Sequence, residues 1–355
     1  TDANYMRLSS YVSDKIDLLG SRTATYPAIE NGQHSYKWSM HTSGTTAMVA
    51  GIVSLLKAQY PTWTNDQIIN QLFITAINKE AYNTSNSCNF DFTGLIGHGL
   101  VDAEYALLFN GTVDRDLIWN KDINVYHSII VQSGKTLTIR EGTNLNFEPN
   151  KTFNVYGNLV IEGDLTINRT INILSGGTIT IEPGAKVTLT DNAQILVNGQ
   201  ISCIGTSSEP IEFDFVQPHL TYNQGIELVY GCTDADFDYT IIKNSRYGIN
   251  SDRVYFTFYR GQLENLTYGI YVDRAKPDIQ YNSFEDCLYG VRLHNTNYVT
   301  GTETKIWNNE FIMTGDHANS YGIYLYYSNP DIISNYISGY IAAISCNSYS
   351  AAKLG

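Results

Sequence analysis

The stretch Phe258-Tyr259-Arg260-Gly261-Gln262-Leu263-Glu264-Asn265-Leu266-Thr267-Tyr268-Gly269-Ile270 decides the fold, because it returns. It comes back 21 residues later as Ile279, Phe284, Asp286 and Tyr289-Gly290-Val291 in the same places. Working outward, the closing triplet is found earlier at Tyr247-Gly248-Ile249 and later at Tyr321-Gly322-Ile323, and Ala342-Ala343-Ile344 fills the same slot once more. The steps are 21, 21, 32 and 21 residues, so the long step is one period plus an 11-residue insert within about 294–320. Apolar pairs precede the triplets: Phe237 and Ile242, Phe258 and Leu263, Ile279 and Phe284, Ile332 and Ile337. Asn244, Asn265 and Asp286 share a slot three residues before it.

The first half of the repeat region carries twice that period. Ser133-Gly134-Lys135-Thr136-Leu137-Thr138-Ile139 returns after 42 residues as Ser175-Gly176-Gly177-Thr178-Ile179-Thr180-Ile181, with Gly142 and Gly157 answered by Gly184 and Gly199. Within these blocks apolar and polar residues alternate, as in Leu137, Ile139, Leu145 and Phe147, which is strand periodicity punctuated by Gly and Pro. A unit of 21 residues cannot bury an apolar face alone; stacking equivalent positions builds a continuous core. Residues 113–355 are therefore expected to form an all-β parallel β-helix of about 21 residues per coil. Asn in a repeated slot tolerates a left-handed bend between strands and can hydrogen-bond the next coil. The region resembles the right-handed β-helix repeats appended to many secreted proteins, and the handedness rests on that resemblance.

Residues 1–112 read differently. His41-Thr42-Ser43-Gly44-Thr45-Thr46-Ala47-Met48-Val49-Ala50-Gly51 runs into Ile52, Val53, Leu55 and Leu56, which predicts a buried helix with Ser43 in its first turn. A hydroxyl there lies at the positive end of the helix dipole, where an oxyanion is stabilised, although serine at a helix start is also an ordinary N-cap. The run resembles the serine motif of the subtilases, the subtilisin-like serine proteases. Thr42, Ser43, Val49, Ala50 and Gly51 match, while His41, Thr45 and Ala47 replace the family's Gly, Ala and Pro. Gly97-His98-Gly99-Leu100-Val101-Asp102-Ala103 resembles the segment that closes a subtilase domain, and Asp14-Lys15-Ile16-Asp17-Leu18-Leu19-Gly20 the strand before the serine loop. The resemblance implies an α/β fold, the C-terminal portion of a subtilisin-like peptidase domain, with Ser43 as nucleophile and a protein or peptide as substrate. The family's Asp, His and oxyanion Asn precede its Ser and are not matched here, so the resemblance implies a fragment of a longer enzyme, inactive alone. His41, two residues from Ser43, is expected to point away from it. The family also carries structural calcium, whose ligands cannot be matched in this chain.

Around these motifs, Thr64-Asn65-Asp66-Gln67 is a capping box that opens a helix with Ile68, Ile69, Leu72, Phe73 and Ala76 on one face. Asp102 to Leu108 reads as a short final helix, and residues 1–42 as strands and loops in which Tyr11, Ile16 and Leu18 extend a central sheet. Trp38 and Met40 are expected either to pack or to line a cleft beside Ser43.

The chain has 355 residues, a net charge of −13 and only 16% charged residues, with no basic cluster, which argues against nucleic acid and anionic membranes as partners. No apolar run approaches a membrane span. Cys88, Cys203, Cys232, Cys287 and Cys346 lack metal-site spacing and read as buried thiols, or as one disulfide with an odd thiol left. Low charge, abundant Asn, Thr and Tyr, and the repeats suggest a secreted or cell-surface protein. The leading expectation is a secreted serine endopeptidase with a β-helix accessory domain. The alternatives are a non-catalytic surface or adhesion β-helix protein with a degenerate protease-like region, and a polysaccharide-active β-helix protein. For a glycan or cell-surface ligand the candidate residues are Asp273, Asp286, Asp316, Tyr324, Tyr326 and Tyr327, with the insert near 294–320 as a binding loop.

Overall fold

The computed structural model describes Leu18 and residues 24–30, 33–39, 42–77, 97–216, 225–299, 303–315 and 317–355. From Thr112 onward the chain winds into a parallel β-helix whose coils stack on three sheets, A, B and C. Sheet A is an 11-stranded parallel ladder running from Leu117–Trp119 to Lys353–Leu354. B and C are the two faces of a 19-stranded sheet; they merge where Gln262–Asp273 and Ser283–His294 each run as one 12-residue strand around the corner.

Alternation sets which side chains point inward. Leu137, Leu159, Ile179 and Ile201 stack in one column of sheet A, each at most 2% exposed, with Thr138, Val160, Thr180 and Ser202 beside them facing out. Each such residue removes its apolar surface from water, stabilising the fold by about 2 kcal/mol relative to an exposed position. The 42-residue period has a simple origin. Successive sheet A rungs pair Thr136 with Asn158 and Asn158 with Thr178, steps of 22 and 20 residues. Sheet B keeps 22 twice, stacking Leu145 on Ile167 and Ile167 on Leu189, so the corner lengths differ while the columns stay in line. Further along, Asp236, Thr257 and Asp278 are separated by 21 residues each.

The 11-residue insert is two inserts. Asp278 pairs with Lys305, a step of 27, whereas Tyr289 pairs with Tyr321, a step of 32. Six extra residues thus precede Lys305 and five more lie between Ile312 and Tyr321. In between, Ile306 and Phe311 fill the inward columns of sheets A and B, a rung hidden from the sequence because its distance from the triplet is stretched.

The glycine of the Tyr-Gly-Ile triplet lies where the chain turns inward. A Cβ on Gly269 would sit 2.5 Å from the Gly290 carbonyl oxygen and 2.8 Å from Phe284 Cδ1. Gly248, Gly290 and Gly322 meet the same obstacle, the carbonyl of the next coil and an inward side chain. Asn244, Asn265 and Asp286 adopt φ of 63°, 54° and 52°, the left-handed bend expected of that slot. Asn265 Nδ2 donates to Asn244 Oδ1 at 2.8 Å, and Asn244 Nδ2 to Asp214 Oδ1 at 2.8 Å. A second ladder, unread in the sequence, is buried at the A–B corner. Asn282 Nδ2 donates to Asn309 Oδ1 and Asn309 Nδ2 to Asn335 Oδ1, while the amides also hold the carbonyls of Phe258, Ile279 and Ile306.

Among the described residues three α-helices precede the coils: α1 (Thr42–Gln59), α2 (Asn65–Thr75) and α3 (Ala103–Leu108). The capping box at Thr64 and Gln67 forms with both arms in place, and Asp102 caps α3 through the Tyr105 amide. These helices close the open end of the first coil. Ile74, Tyr105 and Phe109 belong to the same buried cluster as the coil residues, Trp119 Nε1 donates to the Ile74 carbonyl, and Asn124 N donates to Asn70 Oδ1. Within α1 only one side is buried. Ile52 and Leu56 pack toward Ile68, Leu72 and Ala106, whereas Ser43, Thr46, Ala47, Ala50 and Leu55 are exposed, which corrects the expectation of a fully buried helix. Among the described residues, Ala24–Glu30 and Gln33–Ser39 form a two-stranded antiparallel hairpin. Leu18 packs beside the α1 cluster, and Tyr11, Ile16 and Met40 lie outside the described residues.

Candidate functional site

The residues that could meet a ligand concentrate on the outer side of sheet C, over the rungs Tyr247–Asp252, Gln262–Asp273, Ser283–His294, Tyr321–Tyr326 and Ala342–Asn347. Because Gly and Ile of each triplet both face inward, the tyrosine before them and the residue after them face out. Three outward columns result. The first is Tyr247, Tyr268, Tyr289 and Tyr321, stacked with centroid spacings of 4.9, 4.8 and 5.2 Å. The second is Asn250, Tyr271, Arg292, Tyr324 and Ser345. The third is Asp252, Asp273, His294, Tyr326 and Asn347.

In the second column, Tyr271 and Tyr324 stand nearly perpendicular to the first-column rings, at interplanar angles of 75–79°. The Arg292 guanidinium lies among four rings, 5.1–5.5 Å from the centroids of Tyr268, Tyr271, Tyr289 and Tyr324. Its Nη1 donates to Tyr268 Oη at 3.2 Å. Burial raises the phenols of Tyr247, Tyr271 and Tyr289, which keeps them protonated and able to donate.

The third column is a closed ionic network. Arg274 bridges Asp252 and Asp273, Arg253 pairs with Asp252, and His294 Nδ1 lies 3.0 Å from Asp273 Oδ1 with Tyr326 stacked on the ring at 4.7 Å. Burial alone would raise Asp273, but hydrogen bonds from His294, Asn295 and Arg274 outweigh it and hold the carboxyl below its ordinary range. A carboxylate so engaged serves structure and electrostatics and is a poor proton donor.

Of the carbohydrate candidates, the fold brings Asp273, Tyr324 and Tyr326 onto this one face, with Tyr327 at its edge against Tyr326. Asp286 sits instead at the B–C corner, where it accepts from the Thr314 amide and hydroxyl, and Asp316 lies outside the described residues. Sequence reasoning missed Tyr271, Arg292 and His294. Their signal was the residue next after each triplet and the one two further on, positions that the triplet itself numbers. Ser43 is exposed in the first turn of α1, and His41 lies outside the described residues. His98 is not a surface base: it is buried against Phe73 at 3.9 Å, and desolvation lowers it to about 4.

Two clefts lie elsewhere on the coil. One of about 630 Å³ opens beside the Asn124, Asn146 and Asn168 ladder, and one of about 410 Å³ opens between Tyr281 and Tyr336. Among the described residues no three His, Cys, Asp or Glu side chains meet closely enough to hold a metal ion.

Residues 204–352, which contain all of this face, match the family described as "Periplasmic copper-binding protein (NosD)". The match spans the regular rungs and leaves out the helices and the first coils. No curated protein and no solved structure matches the chain.

Proposed function

We propose that this chain is an exported, non-catalytic β-helix protein that binds a ligand along the outer side of sheet C. The observation that carries the reading is the continuous aromatic surface from Tyr247 to Tyr324, bordered by amide, hydroxyl and carboxylate columns. Half-exposed rings with polar neighbours suit a polyhydroxylated ligand such as a glycan, which offers both C–H faces and hydroxyls. An extracytoplasmic location is supported by the periplasmic description of the matched family, and no helix among the described residues is long and apolar enough to cross a membrane. The copper in that family's description does not fit the described residues. The one described histidine on the face, His294, is engaged by Asp273; Met313, Cys203 and Cys287 are buried, and neither Cys232 nor the exposed Cys346 belongs to a cluster of three His, Cys, Asp or Glu ligands among the described residues. The test is binding of a panel of soluble polysaccharides to wild type and to a Tyr271→Ala/Tyr324→Ala variant. Loss of binding in the variant supports the reading, and equal binding by both proteins refutes it.

A second reading takes Ser43 as the nucleophile of a subtilisin-like serine endopeptidase, attacking the scissile carbonyl to give an acyl-enzyme. It is favoured by the exposure of Ser43 in the first turn of an 18-residue helix. A fluorophosphonate probe that labels the full-length enzyme and spares its Ser43→Ala variant supports it; labelling of neither full-length protein rejects it.

A further inference from the structure

We propose that Arg292 is an anion-recognition point of sheet C and that the ligand is a linear acidic polysaccharide whose carboxylate or sulfate pairs with it. The inference rests on sheet C being the binding face and adds a charge to what that face selects.

Arg292 differs from most of its fellow cations in lying against no carboxylate among the described residues, and from Arg169 and Arg246, which share that trait, in being ringed by four tyrosines. Arg115, Arg140, Arg253, Arg260 and Arg274 each lie against a carboxylate. Among the described residues none pairs with Arg292, although the chain carries 35 acids against 22 Lys and Arg. Its partners are a phenol and four ring faces, which hold a cation in place without neutralising it. Its Nε is buried and meets no acceptor. A half-buried guanidinium with unused donors is suited to a planar or tetrahedral oxyanion, for which its fork is pre-organised. The protonated phenols of Tyr271 and Tyr289 supply further donors beside it.

The shape of the face selects a linear polymer. Successive rungs are about 4.8 Å apart along the helix axis, so Tyr271, Arg292 and Tyr324 offer one ligand contact per rung in a straight line. Asn250 and Ser345 extend the same column on either side with groups that match sugar hydroxyls, and beyond Asn250 the column continues to Glu227, whose carboxylate bounds the anion-binding stretch on that side.

The test measures binding of polygalacturonate, dextran sulfate and neutral dextran of similar length to the full chain, its Arg292→Gln variant and its Arg292→Lys variant. Acidic polymer should bind and neutral dextran should not. Arg292→Gln should weaken binding about tenfold or more, as expected for loss of a charge-assisted hydrogen bond, and Arg292→Lys should restore part of it. Binding of polygalacturonate alone assigns the anion as carboxylate, and binding of dextran sulfate alone assigns it as sulfate. With a net charge of −13 the protein repels polyanions in general, so retention of either polymer reports a local site. Should Arg292→Gln fail to fold, salt decides on wild type: an ion-paired ligand is released as ionic strength rises. Acidic-polymer binding untouched by Arg292→Gln overturns the proposal, as does wild-type binding indifferent to salt or failure of both acidic polymers to bind. Dextran bound as tightly as the acidic polymers, and lost in Tyr271→Ala/Tyr324→Ala, overturns the role of Arg292 while leaving sheet C as the binding face.

Discussion

Adding one methyl group at Gly269 tests the stacking argument directly. The new Cβ would lie 2.5 Å from the Gly290 carbonyl oxygen and 2.8 Å from Phe284 Cδ1, against an ordinary contact of 3.4–4 Å. Neither neighbour has room to withdraw. The carbonyl belongs to the next coil, and Phe284 is fully buried with its ring stacked on Phe311 at 4.4 Å. Relief requires either coil separation, which strains the ladder between Leu263 and Phe284, or an off-rotamer phenylalanine. Overpacking of this kind costs about 1–3 kcal/mol, and a backbone obstacle places Gly269→Ala near the top of that range. The same change at Gly51, in the exposed part of α1 with nothing within 4 Å, should be neutral or stabilising by up to about 1 kcal/mol. Urea unfolding followed by far-UV circular dichroism reads both as midpoint shifts at constant slope. If Gly269→Ala falls within about 0.5 kcal/mol of wild type, as surface changes do, the close approach of coils at the triplet is wrong.

Three further outcomes follow from the interior. Asn309→Ala removes the middle of the buried amide ladder and strands Asn282, Asn335 and the Ile279 carbonyl, so it should cost about 2–3 kcal/mol in the same assay; a cost below 0.5 kcal/mol contradicts the ladder. His98 falls from 6.5 to about 4 on folding, chiefly through desolvation with Lys121 adding to it. The unfolded state therefore binds more protons between those values, and stability should drop by roughly 3 kcal/mol as pH falls from about 6.5 to 4. His98→Leu should flatten that part of the pH profile, and an unchanged slope would place the histidine elsewhere. Among the described cysteines, burial pushes the Cys203 and Cys287 thiols up and Cys232 up to about 11, while Cys346 is exposed. Ellman's reagent should modify Cys346 in native protein and reach Cys203 and Cys287 only on unfolding; early modification of either buried thiol argues against the closed core.

The sequence by itself determined the parallel β-helix, because periodic stacking writes the same chemistry at a fixed interval. The triplet Tyr-Gly-Ile is legible since each letter has its own coil-to-coil reason: rings that stack, a glycine with no space for Cβ, an isoleucine that fills the core. The left-handed asparagines and the capping box at Thr64 were legible for the same reason, being local rules of backbone geometry. Tertiary structure alone decided what the repeat interval conceals. The insert is split in two, which puts Ile306 and Phe311 in register; α2 and α3 seal the first coil through Ile74, Tyr105 and Phe109. It also decided which candidates share a surface. Asp273 and Tyr324 lie 51 residues apart in sequence and two rungs apart on sheet C, while Asp286, nearer to Asp273 in the chain, faces another corner. Arg292 has no signature in one dimension, because its character comes from four rings on three coils. Proximity across coils depends on register, and register is fixed by the packing of the whole stack rather than by any one repeat.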